Sequence, residues 1–267
     1  MTESRWTRIG LRAATWLVLG FLYLPLIILV VYAFNPSRLQ AWPPSGFTLH
    51  WFAEAAGNAE IREALLNSVL AGLGATGIAL VLGTLAALAI GRFSFFGRET
   101  ISFLFILPIA LPGVVTGIAL RTTFQTVGVD FGLFTIIIGH ATFCVVIAYN
   151  NVIARLRRLP RTPEEASADL GADSWTTFRR ITLPGIRTAL LSGALLAFAL
   201  SFDEIIVTNF TAGPGTQTIP MWILSAIRRP TELPVVNVVA FVLILVSTIP
   251  VYLAQRISGA AGGGGRY

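Results

Sequence analysis

The chain has 267 residues, 55% of them hydrophobic and 12% charged, which leaves too few polar side chains to cover a water-soluble globule. Its formal charge of +6 rests on 19 basic residues, every one an arginine. Their largest cluster lies in one loop between apolar runs, a distribution that marks membrane topology and excludes a nucleic-acid surface.

A helix needs about 20 mostly apolar residues to cross the hydrocarbon layer, because each backbone N–H and C=O must be bonded internally. Six segments meet that requirement. The sequence therefore predicts an all-α polytopic membrane protein, one membrane domain over 1–257 with spans at 11–34, 65–90, 101–124, 131–154, 186–210 and 233–255. The first has a basic start, Arg5, Arg8 and Arg12, before its apolar run from about Ala13. It is too long for a signal-peptide core and no small-residue cleavage site follows it, so it is expected to be retained. In the second, Gly72, Gly74, Gly77, Gly83, Ala75 and Ala79 offer small-xxx-small spacing for close helix approach. The third contains LPIALPGVVTGIAL, where Pro108, Pro112 and Gly113 free backbone groups and predict a bend that either lines a pore or simply kinks the helix.

The fourth span carries Cys144 and His140. A single cysteine, and two histidines as far apart as His50 and His140, argue against a disulfide or a metal site; His140 reads as an interhelical hydrogen-bond partner. The fifth ends in SFDEIIVTNF, placing Asp203 and Glu204 about four turns beyond Arg187. Carboxylates at that depth cost several kcal/mol unless they meet water, a cation or a partner. They either face an aqueous route that favours cations or bond neighbouring helices near the outer interface. Asn67, Gln125 and Asn209 divide in the same way between lining and bonding. The stretch 218–227 is too short to span; Trp222, Arg228 and Arg229 suit an interfacial or re-entrant helix at the headgroups. Residues 258–267, rich in glycine, are expected to form a flexible tail.

Orientation follows from the arginines. Fourteen (residues 5, 8, 12, 92, 98, 155, 157, 158, 161, 179, 180, 187, 256 and 266) fall on the side of the N-terminus, and five (38, 62, 121, 228 and 229) on the other. Positive residues concentrate on the cytoplasmic side, so both termini are expected inside.

The long polar loop, 155–185, reads as two short helices. Thr162, Pro163 and Glu165 form a capping box; Gly171 stops the first helix, Asp173 caps the second, and Pro184 ends it. A pair presenting Leu170, Trp175 and Phe178 beside charges either docks into a partner's groove or rests on the membrane surface. The string EEASADLGADSWTTFRRITLP resembles the EAA signature of ABC importer permeases, with Glu165, Ala166, Gly171, Ile181, Leu183 and Pro184 at its spacing and Ser167 in place of the second alanine. The resemblance implies the type I permease fold and a coupling helix that docks on a cytoplasmic ATPase, with Glu165, Ala166, Leu170, Gly171, Ala172, Phe178 and Pro184 as the coupling residues.

Further matches, SFDEIIVTNF with TAGPGTQTIPMWILSAIRRPTELPVVNVVA, YAFNPS around Asn35 and GFTLHWF at 46–52, are similar to the spermidine/putrescine branch of that family, nearest its putrescine-type second permease. What this implies is half of a pore for polyamines in a bacterial inner membrane, with Asp203, Glu204 and Asn209 along the route. The implied partners are an ATPase dimer, a second homologous permease and a periplasmic solute-binding protein. The chain contains no lysine, so it holds no GxxxxGK[ST] phosphate loop. ATP and magnesium are thus expected on the partner ATPase, and no catalysis, metal or cofactor in this chain. The alternatives are an ABC permease for another small solute and an ion-coupled secondary carrier.

Overall fold

The computed structural model describes residues 5–262, and Arg266 with the rest of 263–267 lies outside the described residues. The helices are α1 (Arg5–Ala33), α2 (His50–Gly57), α3 (Ala59–Arg92), α4 (Arg98–Ala110), α5 (Gly113–Val127), α6 (Leu133–Leu156), α7 (Thr162–Asp169), α8 (Ser174–Thr177), α9 (Leu183–Phe202), α10 (Ile206–Thr211), α11 (Ile219–Ala226) and α12 (Leu233–Gly262). No strand occurs among the described residues. The all-α class therefore stands. Among the described residues five stretches are long and apolar enough to cross a membrane unbroken: Arg5–Ala33, Ala59–Arg92, Leu133–Leu156, Ser174–Phe202 and Pro230–Ile249.

The remaining expected span, the third at 101–124, is interrupted. α4 and α5 are separated by Leu111, which is extended (φ −81°, ψ 140°), and by Pro112 at the cap of α5. A residue before proline is pushed out of the helical region, and proline supplies no N–H to continue the ladder. The fifth span also stops earlier than its hydropathy suggests: α9 ends at Phe202, and the chain restarts as α10 at Ile206.

By contacts the chain forms two compact units, residues up to 61 with 223–245, and 62–222 with 246 onward. In the first, Phe34 stacks on Phe47 at 5.0 Å between ring centroids, and meets Phe52 and Phe241 at 5.0 and 5.9 Å. Buried Asn35 organises the turn beside them, its Oδ1 accepting from the Ser45 N–H and hydroxyl at 3.1 and 3.0 Å and its carbonyl from Trp51 Nε1 at 2.8 Å.

The second unit is built round α6, whose apolar window is 61% buried. Small residues make this possible. Ala75 and Ala79 of α3 are fully buried with Cys144 and Ala148 of α6 and Ala197 of α9. At Gly83 a Cβ would lie 2.8 Å from the Tyr149 nitrogen and 2.9 Å from the Val145 oxygen, so α3 and α6 approach backbone to backbone there. Such closeness is open only to residues without a bulky side chain. One interfacial expectation fails: Trp222 on α11 is fully buried, and a side chain without accessible surface cannot anchor in headgroups.

Candidate functional site

Between α9 and α10 the backbone leaves the helix at Asp203 (φ −94°, ψ 0°), and Ile205 (φ −118°) is still irregular. Glu204 makes the restart. Its Oε1 accepts from the Ile206 and Val207 N–H groups at 2.7 and 2.9 Å, satisfying donors that have no partner at a helix start. Glu204 therefore caps a helix, and the expectation that two carboxylates project from one continuous helix is corrected. Asp203 is exposed, and among the described residues no arginine pairs with it. It lies about 24 Å beyond Arg187 by helical rise.

His140, fully buried on α6, holds both sides of this break. Its Nδ1 lies 2.7 Å from Ser201 Oγ on α9 and its Nε2 2.7 Å from Thr208 Oγ1 on α10. The Thr208 hydroxyl donates to the Glu204 carbonyl at 2.9 Å; with that hydrogen committed, the set closes when His140 carries its proton on Nε2. The interhelical hydrogen bonding expected of His140 is what the geometry contains.

The α4–α5 break meets this one. α10 packs along α5, with Gly113 directly against Ile206 and Gly117 under the Phe210 ring. Two half-helices thus begin side by side, an arrangement tolerated at membrane depth only where protein or a water-filled cavity covers the freed backbone groups. Beyond them an open cleft of about 460 Å3 is lined by Arg121, Gln125, Phe131, Asn209, the 212–217 loop and Met221. Asn209 and Gln125 share it. Asn67 lies at its rim, where its Nδ2 donates to the Gln217 carbonyl at 3.0 Å. Asp203 and Glu204 do not line this cleft. Arg121 was not anticipated; its guanidinium sits 5.3 Å over the Phe131 ring.

The polar loop at the other end folds as α7, α8 and a π-helical turn, Phe178–Thr182, that runs into α9. Gly171 (φ +79°) ends α7 as expected, and Asp173 caps α8, its Oδ1 accepting from the Thr176 N–H at 2.9 Å. Hydrogen bonds from the Thr176 hydroxyl and N–H hold the Asp173 carboxyl below its ordinary range. The expected capping box is absent: α7 starts at Thr162 with Pro163 in its first turn, and no side chain caps it. Pro184 does not end the second helix either. The i→i+5 turn before it widens the ladder, so the missing N–H is absorbed and the helix continues.

Glu165, Ala166, Leu170 and Gly171 are exposed, Leu170 at 88%, as is Trp175 on α8 at 66%, while Ala172 and Phe178 are half-buried. The residue that fastens the loop is Glu164, which sequence reasoning missed. Its Oε2 lies 2.9 Å from Arg92 Nε, and its Oε1 accepts from Arg92 Nη2 at 3.1 Å and from the Thr182 hydroxyl at 2.8 Å. Pairing residues 72 apart in the chain leaves no local pattern.

Residues 79–260 match the family described as binding-protein-dependent transport system inner membrane component. Over 255 residues the chain is 37% identical to the putrescine transport system permease protein PotI of Escherichia coli (strain K12), covering 90% of this chain and 89% of that protein. It is 32% identical over 247 residues to the spermidine/putrescine transport system permease protein PotC of Haemophilus influenzae, covering 92% and 95%. The backbone is similar to a chain of a bacterial ABC transporter involved in the import of the acidic polysaccharide alginate, with TM-score 0.74, 15% identity, and coverage of 96% and 99%. At that identity only the fold is shared.

Proposed function

The chain belongs to the family of binding-protein-dependent transport system inner membrane components, and from that premise we propose that it is the membrane-spanning half of an ATP-driven importer whose cargo is a polyamine, putrescine or spermidine. The observation that carries the cargo is likeness over nine-tenths of the chain to permeases of polyamine systems. An exposed, unneutralised Asp203 at a helix break supports it, because a dication crossing a low-dielectric layer gains from a fixed negative charge where an anion would be repelled. On this reading Asp203 and Asn209 flank the route, and Glu204 shapes it by capping α10. The exposed face of α7, with Glu165, Ala166, Leu170 and Gly171, docks with Ala172, Phe178 and Pro184 behind it on a dimeric cytoplasmic ATPase that binds ATP and magnesium. A second homologous permease completes the pore, a periplasmic binding protein delivers cargo, and both termini face the cytoplasm. The whole membrane part, 1–257, acts as one permease domain.

The deciding experiment reconstitutes the chain with its ATPase, second permease and binding protein in liposomes and follows labelled putrescine and spermidine. Uptake that requires ATP and the binding protein is expected, and Asp203→Asn should reduce flux by about 10-fold with assembly unchanged, the loss of roughly 1.4 kcal/mol of charge stabilisation. Uptake driven by a proton gradient alone would instead establish an ion-coupled carrier. Arg121 in the outer cleft favours a second reading, the same fold carrying an anion or another small solute. If excess polyamine leaves ATPase stimulation unchanged, that reading replaces the first.

A further inference from the structure

We propose that Arg92 and Glu164 form a clasp through which movement of the α7–α8 loop drives α3 directly, in addition to the chain connections into α6 and α9. The inference rests on the importer reading above, since it concerns how the docked loop moves the spans. α3 is not connected to the loop in sequence; the clasp makes the connection. Both side chains are largely withdrawn from solvent, with 13% and 20% of their surface accessible; Arg92 Nη2 donates to Glu164 Oε1 while Nε lies 2.9 Å from Oε2 as an ion-pair contact, so one charge-assisted hydrogen bond and a close charge pair hold the two together. Each end of the pair reaches further. Arg92 Nη1 donates to the Leu156 carbonyl at the end of α6, at 3.4 Å, and Glu164 takes the Thr182 hydroxyl from the turn leading into α9. Arg161 adds a second tie, its Nη2 donating to the Gly91 carbonyl at 3.1 Å. The pair thus joins the docking helix to the ends of three spans.

The pair is also well placed electrostatically. Arg92 sits in the last turn of α3 and Glu164 in the first turn of α7, where helix dipoles favour those charges. Beside it a cleft of about 320 Å3, lined in part by Leu88, Phe93, Ala168 and Ala172, leaves room for the loop to shift. Toward its N-terminal part, about 36 Å from Arg92 by helical rise, α3 holds the rim of the outer cleft. There Ser68 Oγ accepts from the Ile219 N–H at 2.8 Å and Asn67 donates to Gln217. The backbone contact at Gly83 and the buried alanines seat α3 along α6 between these points. A displacement imposed at Glu164 is therefore delivered to the rim near Asn209.

The test uses the complete importer in liposomes and measures cargo moved per ATP hydrolysed, with assembly followed by size-exclusion chromatography. Arg92→Glu and Glu164→Arg should each lower cargo per ATP by about 10-fold. The exchanged pair should recover to within about 3-fold of the native ratio, short of full recovery because both charges then oppose the helix dipoles. Glu164→Gln is nearly isosteric and covers the case in which a charge reversal fails to assemble; it should lower the ratio by about 3-fold. The proposal is overturned if Glu164→Gln keeps the native ratio, or if the exchanged pair assembles and stays as uncoupled as the single variants. A native complex that hydrolyses ATP yet imports no polyamine refutes the cargo reading alone. The clasp is then judged by stimulation of ATP hydrolysis by the binding protein, which the single variants should lose and the exchanged pair regain.

Discussion

The break between α4 and α5 and the break between α9 and α10 lie against each other, Gly113 on Ile206, yet their causes differ. Pro112 makes the first by itself: it holds Leu111 extended and brings no N–H. No proline lies near the second. There Ser-Phe-Asp-Glu-Ile-Ile would continue as helix by hydropathy. What interrupts it is Glu204 taking two N–H groups and His140 gripping Ser201 and Thr208 from α6. A break set by backbone chemistry is local; a break set by side-chain partners depends on the neighbouring span. The second kind can place a carboxylate, Asp203, where a proline break offers only backbone carbonyls.

Substitutions can press on that difference. The largest effect is expected from His140→Ala, which removes the tie across the α9–α10 break, leaves a cavity and takes the acceptor from the Ser201 hydroxyl. A loss of about 2–5 kcal/mol follows, read from thermal or denaturant unfolding in detergent. A neutral outcome would mean that the break, like its neighbour, is held locally. Gly117→Ala tests the packing of one half-helix on the other, because the new methyl meets the Phe210 ring near its Cβ. Overpacking of that kind costs about 1–3 kcal/mol, and hydrogen exchange should rise in both α5 and α10 if the two starts form one unit.

Glu204→Gln keeps an acceptor but loses its charge, so the restart of α10 should weaken by about 1 kcal/mol, visible as faster exchange at the Ile206 and Val207 amides. The smallest effect concerns Asp173, the corresponding cap in the water-facing loop. Its carboxyl is held below the ordinary range by Thr176, so its contribution is present above the unfolded carboxylate pKa and lost as pH falls through the lower folded value. Protection of the α8 amides should accordingly stay flat from neutral pH down to about pH 4 and decline only below that. Asp173→Ala should remove this acid transition.

Much of the fold was legible because hydropathy and proline chemistry act along the chain. The spans at 65–90 and 131–154 reappear within α3 and α6 with ends shifted by a few residues, the bend at Pro112 is where the proline placed it, and Gly171 and Asp173 punctuate the loop as their conformations require. The errors share a cause. Thr162 to Glu165 has the spacing of a capping box, but the carboxylate that matters is Glu164, which turns to Arg92 instead. Trp222 looks interfacial by type and is buried by its surroundings. In each case the deciding partner is remote in sequence.

By itself the sequence determined that this is an all-helical, multi-span membrane protein, which loop carries the arginines, and which motif marks it as a permease, since length, apolarity and local spacing suffice for those. Tertiary structure alone decided that Glu204 caps a helix while Asp203 stays uncovered, that two broken spans start side by side, and that the loop is clasped to α3. Those outcomes depend on hydrogen bonds and ion pairs between side chains brought together only when the spans pack.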